Sequence, residues 1–394
     1  MSVPEPGVPL FVGVMSGTSL DGIDVVLATL PQKGPEVVCA RTYQFSKELR
    51  SDLHELCSAR AVDLEHFASV DVALGDEIGM RVLDLLHEAG VRPERVSAIG
   101  SHGQTVRHLP RRETNPFTLQ IGDPNRVAEH TGIMVVADFR RRDVAAGGEG
   151  APLVPAFHQA VFAGPVPRAI VNIGGMANVT LLAARAARGD SYVGDLYVGG
   201  FDTGPGNVLI DAWAERHLGT PMDKDGQWAD QGLVDPRLLD AMLADPWFAL
   251  PPPKSTGREY FDGHWLALRL EQMDRQITPA AVAATLTELT ARTISDAITK
   301  LAAFPAMEVL VCGGGRHNAS LMRRIAAAMP GKTVATTESA GVDGDWLEGL
   351  AFAWLAQQRL GGRAGNVPEV TGASGRRVLG AIYAAGPAPD QKRK

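Results

Sequence analysis

The segment GGFDTGPGN, residues 199–207, places a single carboxylate, Asp202, among glycines and a proline. A carboxylate without bulky neighbours is open to a ligand, and it can act as a general base toward water. Aspartate, glycine and proline are also the ordinary residues of a loop between a strand and a helix. We therefore expect Asp202 on such a loop, either as a base or as a turn residue, and these residues alone do not separate the two.

Other glycine-rich turns follow predicted strands. The sequence GVMSGTSLDGID (residues 13–24) opens the first half of the chain, and VNIGGMANV (residues 171–179) opens the second. Such turns present backbone N–H groups with little side-chain bulk, which a phosphate needs for close approach. A third, VCGGGRHN (residues 311–318), lets a flat ring lie against the backbone, although its spacing differs from G-x-G-x-x-G. Turns at corresponding positions of two halves predict a nucleotide bound between two lobes.

The elements that must position these residues alternate along the chain. Short apolar runs such as LFVGVM, VVLATL, VSAIGSHG, GIMVVADF and MEVLVCGGG predict strands. Apolar residues at helical spacing predict helices in ELRSDLHELCSA, FASVDVALGDEIGMRVLDLLHEAG, NVLIDAWAERHL, AAVAATLTELTARTISDAITKLAA and NASLMRRIAAAM. This alternation predicts an α/β protein with mixed or parallel sheets.

Composition restricts the class of protein. The chain has 394 residues, enough for two domains, with 45% hydrophobic and 21% charged residues. A formal charge of −7 argues against general binding to nucleic acid or anionic membranes. Cys39, Cys57 and Cys312 are widely separated along the chain, which favours a reducing compartment over a disulfide framework. We found neither a signal peptide nor an apolar run long enough to span a membrane, so we expect a cytoplasmic protein.

Together these motifs resemble the anhydro-N-acetylmuramic acid kinase family of the actin, sugar-kinase and heat-shock ATPase superfamily. The resemblance covers roughly residues 10–385 and also includes GSHGQTVRH, ADFRRRDVAAGGEGAPLVPAFH, PKSTGRE and EGLAFAWLA. It implies two actin-like (ribonuclease H-like) lobes around a nucleotide cleft, and a homodimer. The implied lobes are residues 1–140 completed by 345–385, and residues 141–344, with a disordered tail at 386–394.

The resemblance also implies an activity. The enzyme would use ATP, Mg²⁺ and water to open the 1,6-anhydro bridge of the sugar and to phosphorylate O6, in cell-wall recycling. Asp202 would be the catalytic base. The wider superfamily has an aspartate where this chain has Met15. We therefore expect Mg²⁺, with its coordinated waters, at Asp21 or Asp24, although Asp21 could serve only the turn. The expected ATP-binding residues are Gly17, Thr18, Ser19, Leu20, Asp21, Gly22, Gly174, Gly175, Gly204, Gly313, Gly314, Gly315 and Asn318, the last of which could instead cap a helix.

We expect the sugar nearer the first lobe, where strand ends place polar residues. An arginine could pair with the lactyl carboxylate of muramic acid, and we assign this role to Arg140. The other expected sugar-binding residues are His102, Gln104, Thr105, Asp138, Asp143 and Glu348. Lys254 and Arg258, in PPPKSTGREYF, could contact phosphates or the mouth of the cleft, or could lie on the surface. We therefore assign no role to them from the sequence.

Two other functions remain open. The chain could be a kinase of the same superfamily that acts on another sugar or a small carboxylate. Alternatively, it could be an actin-like or chaperone ATPase whose output is conformational. All three would bind a nucleotide, so dependence on an anhydro-sugar distinguishes them.

Overall fold

The computed structural model describes residues 4–5, 7–17, 20, 22–59, 61–184, 198–252, 254–258, 260–300 and 306–386. The chain divides into two compact units, and the divisions fall between Phe157 and His158 and between Asp345 and Trp346. The first unit thus extends past residue 140, where the sequence placed its boundary. The expected disordered tail lies, apart from its first residue, outside the described residues.

The first unit contains a mixed sheet and a separate hairpin. The sheet has the order β13-β7-β4-β1-β2-β3, in which β1, β2 and β3 are antiparallel while β4 and β7 run parallel to β1. Strands β5 and β6 form the hairpin. The bounds are β1 Leu10–Ser16, β2 Gly22–Thr29, β3 Glu36–Gln44, β4 Val96–Ser101, β5 Gln104–Leu109, β6 Phe117–Ile121, β7 Val135–Ala137 and β13 Ala381–Tyr383.

Helices cover this sheet with their apolar sides. The helix at 64–88 begins at Asp63, whose side chain accepts hydrogen bonds from the N–H groups of Glu65 and His66, and it buries residues spaced three to four apart. The bounds are α1 Lys47–Ser58, α2 Leu64–Glu88, α3 Pro124–Thr131, α4 Arg141–Ala145, α5 Val154–Phe162, α11 Leu347–Leu360 and α12 Pro368–Thr371. The division between the units falls within α5.

Helix α11 lies directly against the backbone of the sheet. A Cβ added to Gly13 in β1 would overlap the carbonyl oxygen of Gly349, and one added to Gly100 in β4 would overlap that of Phe352. These glycines therefore allow the helix to approach the two central strands without an intervening layer of side chains. The contact fixes the position of Glu348 in the first turn of α11.

The second unit repeats the order of five of the six strands of the first, without a counterpart of β13. Its sheet has the order β10-β9-β8-β11-β12, with β8, β9 and β10 antiparallel and β11 and β12 parallel to β8. The strands are β8 Arg168–Ile173, β9 Met176–Leu182, β10 Val198–Pro205, β11 Glu308–Cys312 and β12 Thr333–Thr336. The helices are α6 Val208–Leu218, α7 Pro236–Leu243, α8 Gly263–Glu271, α9 Pro279–Thr299 and α10 Ala319–Ala328. Each unit has its own apolar core.

The α/β prediction is confirmed, and one expectation about local structure is wrong. Asp202 does not lie on a loop but within β10, where it pairs with Asn178 of β9. The register shifts between Asp202 and Gly204, and such an irregularity redirects side chains at that point of a strand. Among the helices of the described residues, none is long and apolar enough to cross a lipid bilayer.

Candidate active site

Three segments of the second unit converge at the end of β10. The turn Gly174–Gly175 joins β8 to β9, and its carbonyl oxygens accept hydrogen bonds of 2.8 Å from the N–H groups of Asn207 and Gly206, respectively. A side chain on Gly206 would overlap the carbonyl oxygen of Gly174, so this contact requires glycine. The third segment, residues 254–258, binds Asp202. The sequence motifs GGFDTGPGN, NIGGMAN and KSTGR therefore meet in one place.

Segment 254–258 holds the backbone and one carboxylate oxygen of Asp202. The Asp202 N–H donates to the carbonyl oxygen of Lys254 (3.0 Å). Its Oδ2 accepts from the Thr256 N–H (2.9 Å) and from Ser255 Oγ (3.1 Å). No described residue donates a hydrogen bond to Oδ1. Sequence reasoning missed Ser255 and Thr256 as partners of Asp202, because more than fifty positions separate them along the chain and only the string KSTG marks them.

The environment of Asp202 makes its carboxylate a stronger base than a free one. Burial raises the pKa of Asp202 above its ordinary value, while the hydrogen bonds from Thr256 and Ser255 act in the opposite direction. The raised pKa increases proton affinity, and the two donors still favour the ionised form. With Oδ2 held and Oδ1 open, the group can accept a proton from a water molecule at Oδ1.

The glycines after β11 lie against the same turn. Side chains on Gly313 and Gly315 would overlap Asn172 and Ile173 at the end of β8, whereas Gly314 has only Asn207 nearby, 3.8 Å from an added Cβ. Asn318 is the N-cap of α10, and its Oδ1 accepts from the Leu321 N–H (3.0 Å). Capping thus accounts for Asn318, which precedes the helix rather than lying in its first turn. The glycines at 313–315 and the turn at 174–175 thus lie together at the end of β8, while Asn318 serves its helix.

Glycine is required at position 204 for a different structural reason. Its φ is +141°, and an added Cβ would lie 2.8 Å from Phe248 Cε1. The glycine is therefore needed for packing under Phe248 as well as for its backbone conformation.

The first turn of the first unit is described only in part. Thr18, Ser19 and Asp21, expected at ATP or Mg²⁺, lie outside the described residues. Leu20 is 5% exposed and belongs to the apolar core, so only its backbone could meet a phosphate. Gly22 begins β2, where a side chain would overlap the carbonyl oxygen of Tyr43. Gly17 accepts a hydrogen bond of 3.3 Å from the Leu20 N–H, which closes the turn.

Arg140, which is partly buried, and His102, which is buried, form a polar pair in the first unit. Arg140 Nε donates to His102 Nε2 (2.9 Å), and Nη1 donates to the carbonyl oxygen of Gly150 (2.8 Å). Burial lowers the pKa of Arg140 to about 10, against the opposing charges of Glu348 and Asp143. No described carboxylate forms an ion pair with its guanidinium group. A partly buried arginine without an ion-pair partner is typical of a site that binds an anion.

His102 adds a second unsatisfied donor. Burial, and then the Arg140 charge, hold the pKa of His102 well below its ordinary value, so the ring is neutral. Because Nε2 accepts from Arg140, the proton lies on Nδ1, which has no hydrogen-bond partner among the described residues. Since Nδ1 is itself buried, the group of this pair that can donate to an anionic ligand is the guanidinium of Arg140, which His102 Nε2 orients.

The other expected sugar-binding residues contact protein groups. Gln104 Oε1 accepts from Ser16 Oγ (2.5 Å), and Thr105 Oγ1 accepts from Gln120 Nε2 (3.0 Å). The carboxylate of Asp138 pairs with Arg141 (2.7 Å).

Asp143 is fully buried and stabilises the protein's own structure. It accepts hydrogen bonds from the Gly150 N–H (2.8 Å), Asn366 Nδ2 (2.7 Å) and Thr371 Oγ1 (2.9 Å). We therefore assign Asp143 to positioning the segment after α4 rather than to contact with the sugar.

Asp211, in the first turn of α6, is a second carboxylate near the glycine turn. Burial raises its pKa to about 6, while Arg258 acts in the opposite direction. Since this pKa in the folded protein exceeds the ordinary value of 3.8, ionised Asp211 destabilises the fold above pH 6, and the cost disappears below about pH 4. Allowing for partial solvent screening, the cost is about 1–2 kcal/mol.

We expect Asp211→Asn to stabilise the protein at pH 7.5 by about 1–2 kcal/mol, because asparagine carries no charge to bury. Urea unfolding at pH 7.5 and pH 5 measures the difference, which should shrink at the lower pH. Asp230→Asn is the control, since Asp230 forms an exposed ion pair with Arg323 and its pKa is lowered, chiefly by a hydrogen bond from Ser320. An equal gain at both pH values would contradict the assignment.

The strand order repeated in the two units, with glycine turns at the strand ends, defines the class of actin-like kinases and ATPases. The chain belongs to the anhydro-N-acetylmuramic acid kinase family, whose model matches residues 9–385. A protein of that name from Xanthomonas axonopodis pv. citri is 48% identical over 382 residues, covering 96% of this chain and 98% of the relative. One from Xanthomonas oryzae pv. oryzae is 49% identical over 383 residues, covering 95% and 97%.

Proposed function

We propose that the protein is an ATP-dependent kinase that hydrolyses the 1,6-anhydro bridge of 1,6-anhydro-N-acetylmuramic acid and phosphorylates O6. The product is N-acetylmuramic acid 6-phosphate, an intermediate in the recycling of peptidoglycan. The observation that carries this proposal is the carboxylate of Asp202, which has one oxygen held by Ser255 and Thr256 and the other open, on a strand bonded to a glycine turn. Membership of the family supports the choice of sugar.

The reaction forms and breaks a balanced set of bonds. A water oxygen attacks the anomeric carbon C1 while Asp202 Oδ1 takes one of its protons, and the bond between C1 and O6 breaks. The electron pair released to O6 attacks the γ-phosphorus of ATP, and the bond between that phosphorus and the β,γ-bridging oxygen breaks to release ADP. O6 is phosphorylated as it leaves, so no separate acid has to protonate it. Asp202 then loses its proton to solvent.

The first unit supplies the residues that we propose for the sugar. The guanidinium group of Arg140, which has no ion-pair partner among the described residues and is oriented by His102 Nε2, binds the lactyl carboxylate that distinguishes muramic acid from glucosamine. Glu348, Gln104 and Thr105 are proposed ligands of the sugar hydroxyl groups, and Asp138 and Asp143 hold the surrounding segment.

The glycine turns are proposed to bind ATP, with Gly17, Thr18, Ser19, Gly174 and Gly175 at the phosphates. Gly313, Gly314 and Gly315 are proposed at the adenosine. Mg²⁺ would reduce the charge of the phosphates when bound. In the described part of the chain no three potential metal ligands lie together, which fits an ion held mainly by phosphates and waters with one carboxylate. We propose Asp21 for that carboxylate, since Asp24 already accepts a hydrogen bond from Thr42 (2.6 Å).

We also propose, from the family resemblance, that the enzyme is a cytoplasmic homodimer. The alternatives are a kinase for another sugar or small carboxylate and a conformational ATPase. The lack of an ion-pair partner for Arg140 among the described residues favours a substrate with a carboxylate over a neutral sugar.

The decisive experiment incubates the protein with ATP, Mg²⁺ and the anhydro-sugar in ¹⁸O-labelled water. We expect one label at the anomeric oxygen of the phosphorylated product and none at O6. Unlabelled product kept in the same water measures exchange without the enzyme. Phosphorylation with an intact anhydro bridge would leave a kinase but rule out hydrolysis, and the absence of sugar-dependent ATP turnover would favour the conformational ATPase.

A further inference from the structure

The segment that binds Asp202 also carries an arginine without a function so far. Thr256 and Ser255 hold the carboxylate of Asp202, and Arg258 follows two residues later. A Cβ built on Gly175 would lie 3.4 Å from both Nε and Nη2 of Arg258. The guanidinium group thus lies next to the glycine turn that is proposed to bind phosphate.

Within the described part of the chain, the donors of this guanidinium group have no acceptor. Arg258 forms neither a hydrogen bond nor an ion pair with any described residue. Asp211 lies close enough to Arg258 for the charge of the arginine to lower the pKa of the Asp211 carboxyl. The two side chains form no hydrogen bond with each other. Elsewhere in the second unit, arginines such as Arg269 and Arg316 pair directly with carboxylates.

We infer that Arg258 binds the γ-phosphate of ATP and stabilises the charge on the phosphoryl group as it is transferred. The inference rests on the proposed function, because it requires ATP at the glycine turn. A guanidinium group can donate two parallel hydrogen bonds to phosphate oxygens, and an arginine placed in this way is a recurring element of phosphoryl transfer.

The same geometry would also link hydrolysis of the anhydro bridge to phosphoryl transfer. One short segment, 254–258, holds the base that accepts the proton of water and carries the cation proposed for the phosphoryl group. A shift of this segment would displace both together, so hydrolysis and phosphoryl transfer would depend on the same loop conformation. Asp211 would then be the charge partner of Arg258 when no phosphate is bound.

Calorimetric titration of nucleotides without sugar tests the inference. We expect Arg258→Gln to weaken binding of the non-hydrolysable ATP analogue AMPPNP, with Mg²⁺, by about 10–100-fold, while ADP affinity changes less than about 3-fold. Arg258→Lys, which keeps the charge but not the paired donors, should fall between. Arg237→Gln is the matched control, because Arg237 pairs with Asp274 at the surface.

Each outcome decides the question. An equal loss for AMPPNP and ADP, or no loss for either, would overturn the assignment of Arg258 to the γ-phosphate. Should Arg258→Gln not fold, the same comparison is made with Arg258→Lys, and no selective loss of AMPPNP would again overturn it. If Arg258→Gln lost affinity for AMPPNP selectively but the wild type did not turn over the anhydro-sugar, the contact of Arg258 with the γ-phosphate would stand. The proposed sugar substrate would then be rejected. A wild-type protein that bound neither nucleotide would overturn both.

Discussion

Asp202→Asn is expected to lower kcat for the anhydro-sugar by about 10²–10⁴-fold, the usual contribution of a general base. Asparagine is nearly isosteric and its carbonyl oxygen can still accept from the Thr256 N–H and Ser255 Oγ, so segment 254–258 should keep its place. We therefore expect unchanged nucleotide affinity and a melting temperature within a few degrees of the wild type. Steady-state kinetics and calorimetry on the same preparation measure these quantities.

Asp240→Asn is the control for this variant, because Asp240 is exposed on α7 away from the glycine turn. It should retain full activity. If Asp202→Asn also retained activity within about 3-fold, Asp202 would not be the base. Loss of nucleotide binding together with activity would assign Asp202 to ATP rather than to water.

Arg140→Met is expected to lower kcat/KM for the muramic acid substrate by about 10²–10³-fold, since it removes two charge-assisted hydrogen bonds to the lactyl carboxylate. The 1,6-anhydro form of N-acetylglucosamine has no lactyl group, so its turnover should change less than about 3-fold. The preference of the enzyme for muramic acid should therefore disappear. Competition assays with both sugars measure it.

The neighbouring Arg141→Met is a matched control within the same triple arginine. Arg141 is exposed and paired with Asp138, so the selectivity should stay as in the wild type. An effect on selectivity that is equal in the two variants would contradict the role of Arg140. Equal losses for both sugars in Arg140→Met would assign it to the shape of the site rather than to the carboxylate.

The sequence predicted the elements whose pattern is local. Apolar spacing in α2, α6 and α9 identified helices, and runs of β-branched residues identified β1, β8 and β11, because burial on one side of an element determines those patterns. The run DLYVGGFD (residues 195–202) predicted a strand that ends at Asp202, whereas β10 continues to Pro205. Its residues have low strand propensity, and pairing with β9 rather than local preference keeps them extended.

The missing parts of the site are long-range contacts. Ser255 and Thr256 reach Asp202 across more than fifty residues, and Arg258 reaches Gly175 across more than eighty. No local pattern encodes such contacts. Asp143 and Arg140 also have similar polar contexts in the string DFRRRD, and only the fold distinguishes them. Asp143 is surrounded by donors of the protein, while Arg140 has no ion-pair partner among the described residues.

The division of the chain has a consequence for biosynthesis. The second unit is continuous, from His158 to Asp345, whereas the first unit needs helix α11 from beyond that segment. On the ribosome, β1 and β4 emerge early with Gly13 and Gly100 uncovered, and the helix that covers them is among the last to be translated. The first unit therefore completes its fold only after the second has been synthesised, and the side of its central strands that α11 covers stays open during that interval.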